Sequence, residues 1–347
     1  MDPRFSLKEY PRKDKVYQIK SSYNFETIYS RVYLKREKKG LEELYRWLIH
    51  SLIGFFVGSI AFLMGYAEEH VAEIHAHYTQ ELLHNRSIGV AYSFFFGWPL
   101  IFALIGVLLT VYYGPYAAGS GVPEVMGMLN GVQGGGATYI ATLITKALGT
   151  TLAVMANLCV GKEGPLVHIG AICGCVVPYI PFKSFEPFRN DSDKRTFMAA
   201  GCSAGVAAAF GAPIGGTLFT YEISKPNTFW TFSMLWRVFF TAAIAVFTLG
   251  ILQQLETGAL LSLSNSAALK FGNVDIIYSP LSDAAVAIFI GIICGVLGAG
   301  FIAIYTYLGI LRKKHINTNF KKIVEVLFFS FATSSTFFWL SAWSAYN

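Results

Sequence analysis

Charge falls along this chain in blocks, separated by long runs that carry none. No Asp, Glu, Lys or Arg occurs in residues 87–113, 196–221, 238–255, 284–311 or 326–347. Residues 48–67 hold only His50, and residues 137–160 only Lys146. A helix crossing the hydrocarbon core of a bilayer takes about 20 apolar residues, so each run predicts a membrane-spanning helix. Buried helices of a water-soluble core would need more polar surface than this chain has. Charged residues make up 14% of it, against roughly 25% in soluble proteins. The expected fold class is all-α and polytopic.

Glycine and proline then break the runs at three places. They are Gly119-Ser120-Gly121-Val122-Pro123-Glu124, Gly161-Lys162-Glu163-Gly164-Pro165 and Gly211-Ala212-Pro213-Ile214-Gly215-Gly216. Proline lacks a backbone donor and restricts the residue before it, so a helix does not run through such a stretch undisturbed. Broken backbone is tolerated at membrane depth only where it is buried in protein or lines a wet cavity. The pattern therefore predicts short helices that begin inside the membrane. Their N-termini carry unpaired N–H groups and the positive end of the dipole, each worth about 0.3–2 kcal/mol to an anion. Several converging on one point would offset dehydration of a halide without trapping it.

Loop charge sets the expected topology. Residues 1–47 carry 12 Lys+Arg against 7 Asp+Glu, and positive flanks stay cytosolic. They read as a cytosolic N-terminal segment with a short amphipathic helix over 24–45. The connection over 68–86 has four acids and one base and should face outward, as should 256–283. Arg312, Lys313, Lys314, Lys321 and Lys322 crowd a cytosolic loop. The net charge of +6 is thus a topology signal, and no nucleic-acid partner is expected. The first apolar stretch comes too late and runs too long for a cleavable signal, so it should itself direct insertion. The five cysteines (Cys159, Cys173, Cys175, Cys202 and Cys294) form no Cys-x-x-Cys pair and read as small packing residues. His70, His75, His77 and His84 match no standard metal spacing and are expected on a solvated external helix. Of two sequons, Asn85 is expected outside and open to glycosylation, Asn190 inside and unmodified.

The stretches GSGVPEV (119–125), GKEGPLVHIG (161–170) and AGVAAAFGAPIGGTLFTYE (204–222) resemble, in order and spacing, the signatures of the CLC family of voltage-gated chloride channels and chloride/proton exchangers. The likeness runs from about Leu48 onward. It implies an inverted-repeat helical fold with broken and re-entrant helices and an ion path between the repeats. Residues 48–225 would form the first half and 226–347 the beginning of the second. The family's later Gly-x-Phe-x-Pro stretch, its late Tyr and its CBS domains have no counterpart before Asn347, so the second repeat is expected to be truncated here.

The resemblance also implies roles. Ser120 would coordinate chloride, with the backbone at Gly119, Ser120 and Gly121 lining an inner site. The N–H groups at Lys162, Glu163 and Gly164 would form an outer site. A serine hydroxyl is a neutral donor that binds an anion without holding it as a cation would. Glu163 would be the gate, because a carboxylate in an apolar stretch can occupy an anion site and block it. Lys146 would add positive potential to the path. At the proton-path position, Glu222 and Ile223, exchangers carry two glutamates, whereas this chain has Ile223 second. A channel-like chloride transporter follows. The alternatives are a chloride/proton antiporter of an intracellular membrane, and a truncated, non-conducting subunit that dimerises with full-length partners. The small-residue run 199–216 predicts tight helix packing and a homodimer contact. No cofactor, metal or catalytic group is expected beyond chloride as transported substrate and the lipid bilayer as surroundings. GKEGP lacks the spacing and the Ser/Thr of a phosphate-binding loop, which argues against an enzyme.

Overall fold

A computed structural model describes residues 40–85, 87–132, 135–224, 230–256, 258 and 282–346. Among these there are ten α-helices, and five are long and apolar enough to cross a membrane. They are α1 (Gly40–Asn85), α2 (Ile88–Leu108), α3 (Val122–Leu129), α4 (Ile140–Met155), α5 (Glu163–Val176), α6 (Asp191–Phe210), α7 (Pro213–Ser224), α8 (Phe232–Glu256), α9 (Ser282–His315) and α10 (Asn319–Tyr346). The expected helix over 24–45 lies outside the described residues except for its last six positions, which belong to α1.

α1 runs for 46 residues, about 69 Å at 1.5 Å per residue, more than twice the roughly 30 Å of a bilayer core. The polar stretch from Glu68 onward stays helical because it contains neither Gly nor Pro. Its histidines do not share one environment. His70, His77 and His84 are exposed as expected, but His75 is buried with its ring 4.8 Å from that of Phe95 on α2. At its other end α1 is tied down twice. Arg46 pairs with Asp193 of α6, and Glu43 accepts two bonds of 2.9 Å from Arg237 of α8. Asn190 caps α6, accepting from the Asp193 N–H at 2.9 Å.

The core lies where α1, α5, α6 and α8 meet, around Ile53, Ile169, Phe197 and Ala245. The 199–216 run explains the closeness of that packing. A Cβ at Gly201 would collide with the Gly170 carbonyl, and one at Gly205 with that of Leu166, so α5 and α6 touch backbone to backbone. Residues 197–208 are all buried within the one chain. The small side chains over 197–208 therefore serve contact between helices of this chain. Exposed apolar side chains appear at the end of the run and just past it, at Phe210, Ile214 and Leu218. α10 packs on α2 through Tyr92, whose hydroxyl lies 2.9 Å from Ser335 Oγ. α9 stands apart: residues 286–310 are exposed, and Arg312 reaches Glu325 of α10 at 2.7 Å.

Candidate functional site

Each of the three Gly/Pro interruptions marks a helix start. The first turns through Gly119 and Gly121, whose φ values of 75° and 83° suit glycine. Gly121 then caps α3, with Pro123 in its first turn. Lys146, 2% exposed on α4, braces the turn by donating to the carbonyls of Ala117 at 3.0 Å and Gly119 at 2.7 Å. Its ammonium thus holds the backbone beside Ser120. Ser120 itself is exposed, and its hydroxyl oxygen lies 3.4 Å from the Val122 N–H.

The second interruption starts α5 at Glu163. The N-cap residues Gly121 and Lys162 make no side-chain cap bond. The Val122 N–H of α3 donates to the Ser120 hydroxyl, whereas the start of α5 has no side-chain cap and leaves its first N–H groups for an anion. The two starts are brought together at Gly164. A Cβ there would lie 2.9 Å from Ser120 Cβ and 3.8 Å from Val122 Cγ2, so only glycine lets α5 begin against Ser120. The Glu163 side chain is exposed and folds over Gly161, where it occupies the space a Cβ would take. Lys162 does not form a local pair with its neighbour: its ammonium donates to Glu68 of α1 at 2.8 Å.

The third interruption ends α6 at Gly211, φ 64°, and starts α7 at Pro213. A Cβ at Gly216 would lie 2.5 Å from the Ser203 carbonyl, which fixes α7 against α6. At the far end of α7, Glu222 is exposed. Ile223 packs on the apolar cluster around Val125, Met198 and Val238, and its carbonyl accepts from Asn130 at 3.1 Å.

One further residue, to which the motifs assign no role, belongs to this arrangement. His168 on α5 is fully buried, directly under Gly121, where a Cβ would strike its ring. Its Nε2 lies 2.9 Å from the Ala137 carbonyl. The ring is a spacer joining α5, the Gly119–Gly121 turn and the 3₁₀ turn Gly135–Thr138. The available signal was a histidine inside an apolar helical motif. Among the described residues no group of three or more His, Cys, Asp or Glu could hold a metal. Two adjacent helix starts, a hydroxyl and a carboxylate suit an anion and a competitor for its place.

Comparison with known proteins gives a consistent picture. A family model described as voltage gated chloride channel matches residues 101–346. Chloride channel protein C of Dictyostelium discoideum is 35% identical over 306 aligned positions, 85% of this chain and 40% of that protein. The H(+)/Cl(-) exchange transporter 7 of Homo sapiens is 31% identical over 361 aligned positions, 97% of this chain and 44% of that protein. The chain therefore spans less than half the length of these curated relatives. Among solved structures, a slow cyanobacterial Cl-/H+ antiporter superposes with a TM-score of 0.67 at 18% identity, over 83% of this chain and 63% of that one. A eukaryotic CLC transporter gives 0.66 at 24%, over 84% and 49%.

Proposed function

Because this chain belongs to the voltage-gated chloride channel (CLC) family, we propose that it carries chloride across a membrane along a path past Ser120 and the start of α5. It is a multi-pass integral membrane protein, and the expected all-α, broken-helix fold is the one it adopts. The observation that carries the proposal is the close approach of Gly164 to Ser120, which sets the uncapped start of α5 beside the hydroxyl at the start of α3. A dehydrated anion there would take N–H groups from Gly121 and Gly164 and the Ser120 hydroxyl in place of water. These are dipoles without net charge, so binding stays weak enough for release. Lys146 acts through the backbone it braces rather than as a ligand. The Glu163 carboxylate competes with the anion for the outer N–H groups and so gates the path.

Ile223 supports passive conduction, since an alkyl side chain packed on an apolar cluster cannot relay a proton. Exchange is the second reading, favoured by the likeness to the human exchange transporter over 97% of this chain. It would need Glu222 or ordered water to carry the proton. Pairing with a second copy of the chain would use the exposed apolar residues Phe210, Ile214 and Leu218.

Chloride flux through proteoliposomes separates these readings. Passive conduction predicts a reversal potential that follows the chloride gradient alone. A displacement under an imposed pH gradient would replace the channel reading with exchange. Flux indifferent to Ser120→Ala and Glu163→Gln would remove the proposed path.

A further inference from the structure

Lys162 precedes Glu163 in sequence, yet its ammonium crosses to α1 and donates to Glu68 Oε2 at 2.8 Å. The Glu68 side chain keeps 10% of its surface exposed and that of Lys162 37%. The other carboxylate oxygen, Glu68 Oε1, is buried without a hydrogen-bond partner. A half-satisfied carboxylate removed from water is unfavourable, so Glu68 depends on Lys162 for its charge balance, and Lys162 is committed to Glu68 in return. Both line a cavity of about 470 Å³ among α1, α4, α5, α6 and α8. Its remaining charged lining is Glu69 on α1 and Glu256 on α8, so one ammonium faces three carboxylates.

We propose that Glu68 is a positioning residue for the outer end of the anion path: it holds the Lys162 ammonium against α1 and limits how strongly that end attracts chloride. This rests on the anion path past Ser120 and Glu163 proposed above. Released from Glu68, the ammonium would be free to draw anions toward the start of α5. It would also draw the Glu163 carboxylate off the outer N–H groups, and both effects favour chloride. With Lys162 removed, the Glu68 charge beside the path is left uncompensated and opposes chloride, as do Glu69 and Glu256. The two neutralising substitutions therefore act with opposite signs, and together they cancel. Damage to packing would instead weaken binding in each variant.

The test is calorimetric chloride binding to the detergent-solubilised chain at neutral pH. Glu68→Gln should tighten binding about threefold and Lys162→Met should weaken it about threefold, the size of one charge acting over roughly 8 Å in high-dielectric surroundings. The double variant should bind as the unmodified chain does. The contrast between the single variants should shrink when ionic strength is raised with a bulky salt that does not bind, because exposed charges are then screened. Ser120→Ala and Glu163→Gln serve as references, the first expected to weaken binding and the second to tighten it. If the references change affinity while Glu68→Gln and Lys162→Met move it together or not at all, the role of Glu68 is wrong and the path stands. If the references leave chloride affinity unchanged, the path itself fails, and with it the role of Glu68.

Discussion

The contact between Gly164 and Ser120 gives the most demanding prediction, because one methyl group should disturb the anion site and little else. In Gly164→Ala the added carbon would lie 2.9 Å from Ser120 Cβ. Carbon atoms rest at about 3.5–4.0 Å, so α5 and the Ser120 turn must separate by about 1 Å. Hydrogen bonds to an anion tolerate little of that, since O–H donors work within about 2.5–3.0 Å of their acceptor. An anion held at once by the hydroxyl and by the start of α5 must give up one of them. A hydrogen bond to a charged group contributes about 1.5–3 kcal/mol, which corresponds to roughly 10- to 150-fold in affinity. Chloride titration by calorimetry reads this directly, and thermal unfolding reports whether the fold survives. Ser120→Ala should show a similar loss. The double variant should lose less than the sum, as expected for groups that share a ligand. Gly164→Ala binding chloride as tightly as the unmodified chain would refute the shared site.

Four further outcomes follow from the packing. Gly201→Ala should destabilise by at least about 3 kcal/mol through overpacking of α5 on α6. Gly291→Ala on exposed α9, with nothing within 4 Å of its Cβ, should be neutral or gain up to about 1 kcal/mol; unfolding midpoints in detergent compare the two. Lys146→Met strands the buried Ala117 carbonyl and frees the Gly119 turn, with an expected loss of about 1–3 kcal/mol and weaker chloride binding in the same titration. Asn190→Ala removes the cap of α6 and should lower stability by about 1 kcal/mol without changing chloride affinity.

The broken helices were legible because glycine and proline act locally. Gly121, Gly161 and Gly211 stand at the starts of α3, α5 and α7, as their spacing predicts. Counting uncharged residues was less reliable, because absence of charge marks burial as well as spanning. The run over 196–221 is not one crossing: it divides at Gly211 into the largely buried end of α6 and most of α7, which keeps Ile214 and Leu218 exposed. That over 137–160 holds only the 16-residue α4. Partners distant in sequence were out of reach. The Lys162 ammonium finds Glu68, 94 positions earlier, although its sequence neighbour is also an acid. Lys146 could be recognised as an odd cation in an apolar helix, but not as a brace for two carbonyls. The 199–216 run correctly foretold close packing, yet composition alone does not say whether small residues meet a helix of the same chain or of another.

Chloride passage past Ser120 depends on a single location, and bromide can mark it. Anomalous scattering from crystals of the protein grown in bromide should place a peak between the Ser120 hydroxyl and the first turn of α5, weakened in Gly164→Ala. Bromide bound elsewhere, with that position empty at saturating concentration, would contradict it.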